Sequence, residues 1–161
     1  MSTNSFLPHV LVLPEDDANR QLAIGFRLEI PFALSRKIQV LPIAGGWLRV
    51  LDCFEKDHVG AMARFPNRTM VLLIDFDGQR DRLDRAKAVI PDNLKDRVFV
   101  LGAWTDPEAL KAILGSYEKI GQALAEDCRE ETATTWGHEL LRHNAGEMER
   151  LRQQVRPILF Q

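Results

Sequence analysis

The sequence predicts an α/β domain with a mostly parallel, four-stranded central sheet flanked by helices and a helical C-terminal extension. Three observations predict it. Short apolar runs alternate with helix-period segments four times over, the pattern of strand–helix–strand crossovers. A chain of 161 residues is the size of one domain with a single sizeable core. A composition of 45% hydrophobic and 27% charged residues is that of a globular protein, not of a disordered or fibrous one. The expectation is one domain over residues 1–161, with an α/β core over 9–104 and helices over 105–161.

The elements follow in order. Residues 9–13 read as a first strand, and the acidic turn Pro14-Glu15-Asp16-Asp17 follows it. Residues 18–28 read as a helix because Leu22, Ala23 and Phe26 recur at helical spacing. A connector with Pro31 leads to a second strand at 37–41, then to the glycine turn Pro42-Ile43-Ala44-Gly45-Gly46. Helices are expected at 47–56 and 58–64, the latter ending before Pro66. The third strand is 70–75, and the charge-rich helix 79–89 after it reads as a solvated outer face. Pro91-Asp92-Asn93 breaks the chain before a fourth strand at 97–101. Thr105, Pro107 and Glu108 read as a capped helix start. Helices fill most of the remainder, with a loop at 132–136, and no internal repeat is evident.

A formal net charge of -2 argues against an overall electrostatic grip on nucleic acid, but leaves room for a local basic face. Cys53 and Cys128 read as free thiols of a cytoplasmic protein, since no secretory leader pattern opens the chain. No apolar run approaches the roughly 20 residues that span a membrane.

The chemistry-bearing residues converge on one rim. In an open parallel sheet, ligands sit beyond the carboxyl ends of the strands. Glu15, Asp16 and Asp17 follow the first strand, Gly45 and Gly46 the second, and Asp75 and Asp77 the third. The spacing of Asp75 and Asp77 on a strand predicts two carboxylates on one face. Paired acids repel each other and raise each other's pKa, and a divalent cation relieves that repulsion. Carboxylates with open coordination positions suit Mg2+ or Mn2+, and the reaction class that follows is phosphoryl transfer or phosphodiester hydrolysis. Gly45 and Gly46 are candidates to bring backbone N–H groups to a phosphate, or simply form a strand-to-helix turn.

The order of motifs resembles the Toprim domain, the metal-binding catalytic fold of topoisomerases, primases and OLD-family nucleases. Val12-Leu13-Pro14-Glu15-Asp16-Asp17-Ala18 is similar to that family's Glu motif, and Ile74-Asp75-Phe76-Asp77-Gly78 to its DxD motif. Ile43-Ala44-Gly45-Gly46 is similar to the glycine turn of the OLD branch. The resemblance spans roughly residues 9–104, with Asp16 standing where the family commonly has Gly. It implies Glu15 as ligand or general acid/base and Asp75 and Asp77 as metal ligands. It also implies a nuclease acting on DNA or RNA, working with a separate ATPase subunit or as a homo-oligomer. The same stretches resemble two other families. A response-regulator receiver would phosphorylate Asp75 and hold Mg2+ with Glu15 and Asp16, but no fifth strand ending in Lys follows. A haloacid-dehalogenase phosphatase would open with the DxDG strand, which here lies mid-chain. A non-catalytic interaction domain with an acidic edge is the remaining alternative.

Other residues carry weaker signals. His138 and His143 are five residues apart, about 140° around a helix, so they do not form the paired ligands of a zinc helix; either is a candidate to reach the rim as a base. Asp106 and Glu108 lie past the fourth strand and are candidate third acids or helix caps. Trp47, Trp104 and Trp136 read as core or interface anchors. Arg142, Arg150, Arg152 and Arg156 form a solvated helical face or a basic strip for a polyanion.

Overall fold

The computed structural model describes residues 3–105 and 107–161. Four strands, β1 (His9–Pro14), β2 (Ile38–Val40), β3 (Arg68–Leu73) and β4 (Val98–Leu101), form an all-parallel sheet in the order β2-β1-β3-β4. Every residue of β1 is buried, as a central strand covered on both faces requires. Its side chains alternate. Val10 and Val12 enter one apolar layer with Val71, Phe99 and Leu101, whereas Leu11 and Leu13 enter the other with Met70, Leu72, Val98 and Val100.

The second layer is closed by α2 (Trp47–Cys53), α3 (Val59–Arg64) and α4 (Arg80–Ala88), through Val50, Leu51, Met62, Leu83 and Ala86. Residues 47–64 form one continuous helical rod rather than the two separate helices expected, because a π turn over Phe54–His58 joins α2 to α3. Eight residues on an ideal α-helix leave Phe54 and Met62 about 80° apart. The π turn absorbs one residue, and both side chains are fully buried.

The first layer is closed by α1 (Asp17–Leu28) together with α5 (Glu108–Leu114), α6 (Tyr117–Glu130), α7 (Ala145–Gln154) and α8 (Arg156–Leu159). The C-terminal helices therefore share one face of the core with α1, through residues such as Ile120, Leu124, Met148 and Leu151. The helix after Thr105 starts at Glu108 with Pro107 at its N-cap and no side-chain cap, so the capping expected from Thr105 is not formed; Asp106 lies outside the described residues.

α1 and α6 cross at two glycines. A Cβ on Gly25 would stand 2.0 Å from the Glu118 carbonyl oxygen, and one on Gly121 would stand 2.0 Å from that of Leu22. Backbone cannot yield as a flexible side chain can. Gly121→Ala is therefore expected to force the helices apart and to cost about 1–3 kcal/mol, read as a lowered denaturation midpoint in urea.

The two sheet edges differ. Along β4, the Val100 N–H donates to Glu147 Oε2 (2.9 Å) and the Gly102 N–H to Asn144 Oδ1 (3.3 Å). Asn144 Nδ2 returns a bond to the Gly102 carbonyl (3.0 Å), and the Trp104 N–H donates to the Leu140 carbonyl (2.8 Å). The C-terminal segment thus takes the place of a fifth strand with side-chain and turn acceptors. β2, only three residues long, has β1 as its sole strand partner among the described residues. Among the described residues no helix is long and apolar enough to cross a membrane.

Candidate functional site

The strand order reverses around β1: α1 leads from β1 to β2 on one side, and the rod 47–64 returns to β3 on the other. The crevice outside the carboxyl ends of β1 and β3 is where such a sheet binds ligands. Glu15 and Asp75 meet there, 60 residues apart in sequence, with Glu15 Oε2 accepting the Asp75 N–H at 2.7 Å. The Glu15 N–H is fixed in turn by the Leu73 carbonyl at 2.9 Å.

Asp16 is the N-cap of α1 and accepts the Asn19 N–H on Oδ1 at 2.9 Å. That cap begins α1 beside the acids and directs Asn19 inward. Asn19 is fully buried, and neither its Oδ1 nor its Nδ2 has a hydrogen-bond partner of good geometry. Its amide lies close enough to Asp75 to favour the charged carboxylate.

Asp75 is the electrostatic centre. Its Oδ1 is buried without a partner. Burial first, then the charges of Asp16 and Glu15, push its pKa up to about 7. Burial also raises Glu15; Asp16 adds to the rise, while the Asp75 N–H, Arg82 and the Trp47 N–H oppose it. Near neutral pH this corner of the rim therefore holds a proton that ordinary carboxylates would have lost.

Asp77 is not part of this group. β3 ends at Leu73, although the N–H groups of Ile74, Phe76 and Gly78 still donate to the carbonyls of Leu101, Ala103 and Trp104. Extended backbone carries Ile74 and Phe76 into the core and Asp75 to the opposite face. At Asp77 the chain turns left-handed, with φ 53°, and Gly78 follows at φ 67°. The same-face expectation for Asp75 and Asp77 fails at that turn. The Asp77 side chain is 67% exposed and lies 3.6 Å from Arg82.

The glycine turn is stitched to the exit of β1: the Ala44 and Gly45 N–H groups donate to the carbonyls of Pro14 and Glu15, both at 2.9 Å. Gly46, at φ 146°, is the N-cap of α2, and the next N–H, that of Trp47, faces Glu15. The turn therefore serves the acid at the end of β1 and spends the Gly45 N–H internally.

Two residues of this corner escaped the sequence reading, Asn19 and Arg82. Each left a signal. Asn19 falls on the apolar stripe of Leu22, Ala23 and Phe26, where a polar side chain is out of place. Arg82 was grouped with a solvated face, yet its side chain is only 18% exposed. It donates from Nη1 to the Asp75 carbonyl (2.9 Å), and its guanidinium carbon sits 5.1 Å from the Trp47 ring centroid.

The other candidates lie elsewhere. His138 accepts the Leu140 N–H on Nδ1 (3.1 Å), and His143 packs 5.3 Å from both the Phe76 and Trp104 rings, where burial lowers its pKa. The basic strip is largely spent on internal carbonyls. Arg150 bonds that of Lys95, Arg152 that of Thr132, and Arg156 that of Arg129 (3.0 Å). Cys53 and Cys128 are free thiols with raised pKa values, chiefly through burial, and Cys128 reaches about 11. Among the described residues no three His, Cys, Asp or Glu side chains stand close enough together to form a ready-made metal cage. No protein-family model, curated protein or solved structure matches this chain.

Proposed function

We propose that this protein is a divalent-metal-dependent phosphodiesterase of Toprim type, a nuclease whose rim at Glu15, Asp16 and Asp75 takes Mg2+ or Mn2+. One observation carries the reading: the buried, unpartnered Asp75 Oδ1, whose charge the nearby Asp16 and Glu15 oppose. Burying a charge beside like charges is unfavourable, and sites that keep such an arrangement generally do so for function. The donor set is all oxygen, as a hard cation requires, and the uncharged Asn19 amide completes it without adding charge. When bound, such an ion neutralises the acids and polarises a phosphate. Glu15, held at Oε2 by the Asp75 N–H, would serve there as ligand or proton acceptor. Nucleic acid as substrate, and a separate ATPase subunit or second copy as partner, belong to the same reading.

Two measurements test it. Mn2+ is expected to raise the melting temperature of the wild type, and Glu15→Gln or Asp75→Ala to abolish the rise; an unchanged response in both variants rejects the rim as the binding site. Because Asp75 retains its proton near pH 7, Mn2+ binding at pH 6.5 is expected to release about one proton, visible as calorimetric heats that depend on the buffer's ionisation enthalpy. Cleavage of single- and double-stranded DNA and RNA then reports substrate class.

The position of Asp75 past β3, facing Glu15 and Asp16 past β1, favours one alternative, a phospho-accepting aspartate. Uptake of phosphate from acetyl phosphate that Asp75→Asn abolishes, with no cleavage of any nucleic acid, would select it.

A further inference from the structure

We propose that Arg82 is the residue that receives the substrate's phosphate, and that Asp77 occupies it in the free protein as a displaceable carboxylate. The inference rests on the phosphoryl reading of the rim and gives Asp77 a role other than metal ligand.

Arg82 stands near enough to Glu15 to offset its charge, yet its hydrogen bond goes to the main chain. A counter-ion to Glu15 or Asp75 would bond their carboxylates, but Arg82 Nη1 bonds the Asp75 main-chain carbonyl at 2.9 Å. Trp47 lies under the guanidinium at 5.1 Å, and Arg85 shares that ring at the same distance. Hydrogen bond and ring together fix the plane of the fork, which lowers the entropy lost when an anion binds. The guanidinium keeps unspent donors, one of which, the Nε–H, is buried without a partner. A planar fork beside a carboxylate cluster matches a phosphate oxygen pair bidentately.

Asp77 holds this fork loosely. The contact at 3.6 Å lies outside hydrogen-bond distance, and the carboxylate is 67% exposed, so water screens it. The carboxylate is there because the backbone is left-handed at φ 53°, a region costly for most side chains but tolerated by Asp and Asn. Ordinary extended backbone would have sent it to the Asp75 side. A left-handed residue that places a weakly bound anion against a pre-oriented guanidinium is a stand-in for a ligand anion.

The test is a titration of the metal-free chain with inorganic phosphate in EDTA, followed by phosphorus NMR. Asp77→Asn keeps the left-handed turn and removes the competing charge, so phosphate affinity is expected to rise at least threefold. Asp81→Asn, an equal change of charge at an exposed position on the same helix, is expected to change it less than twofold. Arg82→Lys and Arg82→Gln are both expected to weaken it at least tenfold, with Lys failing to rescue because it lacks the planar fork. Unchanged or weakened phosphate binding in Asp77→Asn overturns the proposal, as does retained binding in Arg82→Lys at an unaltered melting temperature. Mn2+ affinity of the same variants separates the two readings. A loss in Asp77→Asn makes Asp77 a metal ligand and overturns this inference alone; a wild type that ignores Mn2+ yet binds phosphate through Arg82 rejects the metal reading alone.

Discussion

Asp75→Asn is expected to make the metal-free protein more stable at pH 8 while removing its response to Mn2+. The folded-state pKa of Asp75, about 7, lies above the value near 3.8 of a free Asp side chain. A raised pKa means that the folded chain holds the proton more tightly than the unfolded chain. Its contribution to stability is complete below pH 3.8, declines as the pH climbs, and is lost once the pH passes about 7. At pH 8 the carboxylate is charged, buried and opposed by Asp16 and Glu15. Asparagine has the same shape, carries no charge and can donate to either neighbour. Allowing for partial solvent access, the gain is about 2–4 kcal/mol at pH 8, or roughly 4–15 °C in melting temperature for a chain of this size. At pH 4 the two proteins should melt within a degree or so of each other, since little of the Asp75 penalty remains. Matched stability at pH 8 would mean that the three acids do not repel one another, and would remove the physical ground for a cation at the rim.

Asp127→Ala is expected to have the largest effect in the opposite direction. Asp127 is buried at the end of α6, and its carboxylate organises the loop that follows. It accepts the Thr132 hydroxyl (2.6 Å) and the N–H groups of Thr134 (3.2 Å), Thr135 (2.6 Å) and Trp136 (3.0 Å). Burial alone would raise its pKa, but these four donors together outweigh it and hold the pKa below the usual value. Alanine leaves the Thr135 and Trp136 amides buried and unpaired, at a cost of about 3–5 kcal/mol. Trp136 lies in the core between the sheet and the C-terminal helices, so its fluorescence should shift to the red in the folded variant. The pH dependence has the reverse sign to that of Asp75. A depressed carboxylate pKa gives stability that is present above about pH 4 and lost as the pH falls through the folded value, so the wild-type advantage over the variant should shrink in acid. Unaltered stability and an unaltered emission maximum would show that the loop holds without Asp127.

The sequence carried the sheet almost whole because its information is local. Buried strands such as 9–14 are continuous apolar runs, and the crossovers between them leave few alternatives to a parallel sheet. The meeting of Glu15 with Asp75 followed from the same logic, since residues at the carboxyl ends of neighbouring parallel strands share a rim. What was not legible depended on single torsions and on packing at a distance. The left-handed turn at Asp77 redirects one carboxylate, and no i, i+2 rule anticipates it. The burial of Arg82 depends on Trp47, which arrives from another helix.

Two segments that enter strands repeat one pattern. Ile30-Pro31-Phe32-Ala33-Leu34-Ser35-Arg36-Lys37-Ile38 and Ile90-Pro91-Asp92-Asn93-Leu94-Lys95-Asp96-Arg97-Val98 share the same frame of Ile, Pro, Leu, a basic residue and a β-branched residue. Both form the same device. A helix ends, the proline redirects the chain, and a short 3-10 turn delivers it into a strand; Leu34 and Leu94 close the turn by donating their N–H groups to the preceding Pro carbonyls at 2.8 and 2.9 Å. Proline supplies the fixed φ and leucine the apolar anchor.

The asymmetry of the two sheet edges sets how copies of this chain can associate. Strand-to-strand growth needs a free edge on each side of every molecule if it is to continue. Here Glu147 accepts the Val100 N–H of β4, and Asn144 and Leu140 accept those of Gly102 and Trp104 just past it, whereas among the described residues no strand covers the outer side of β2. Two molecules joined at β2 would present β4, lined by the C-terminal segment, at both outer margins. The C-terminal segment thus acts as an end-stop that disfavours the open ladder on which fibres depend.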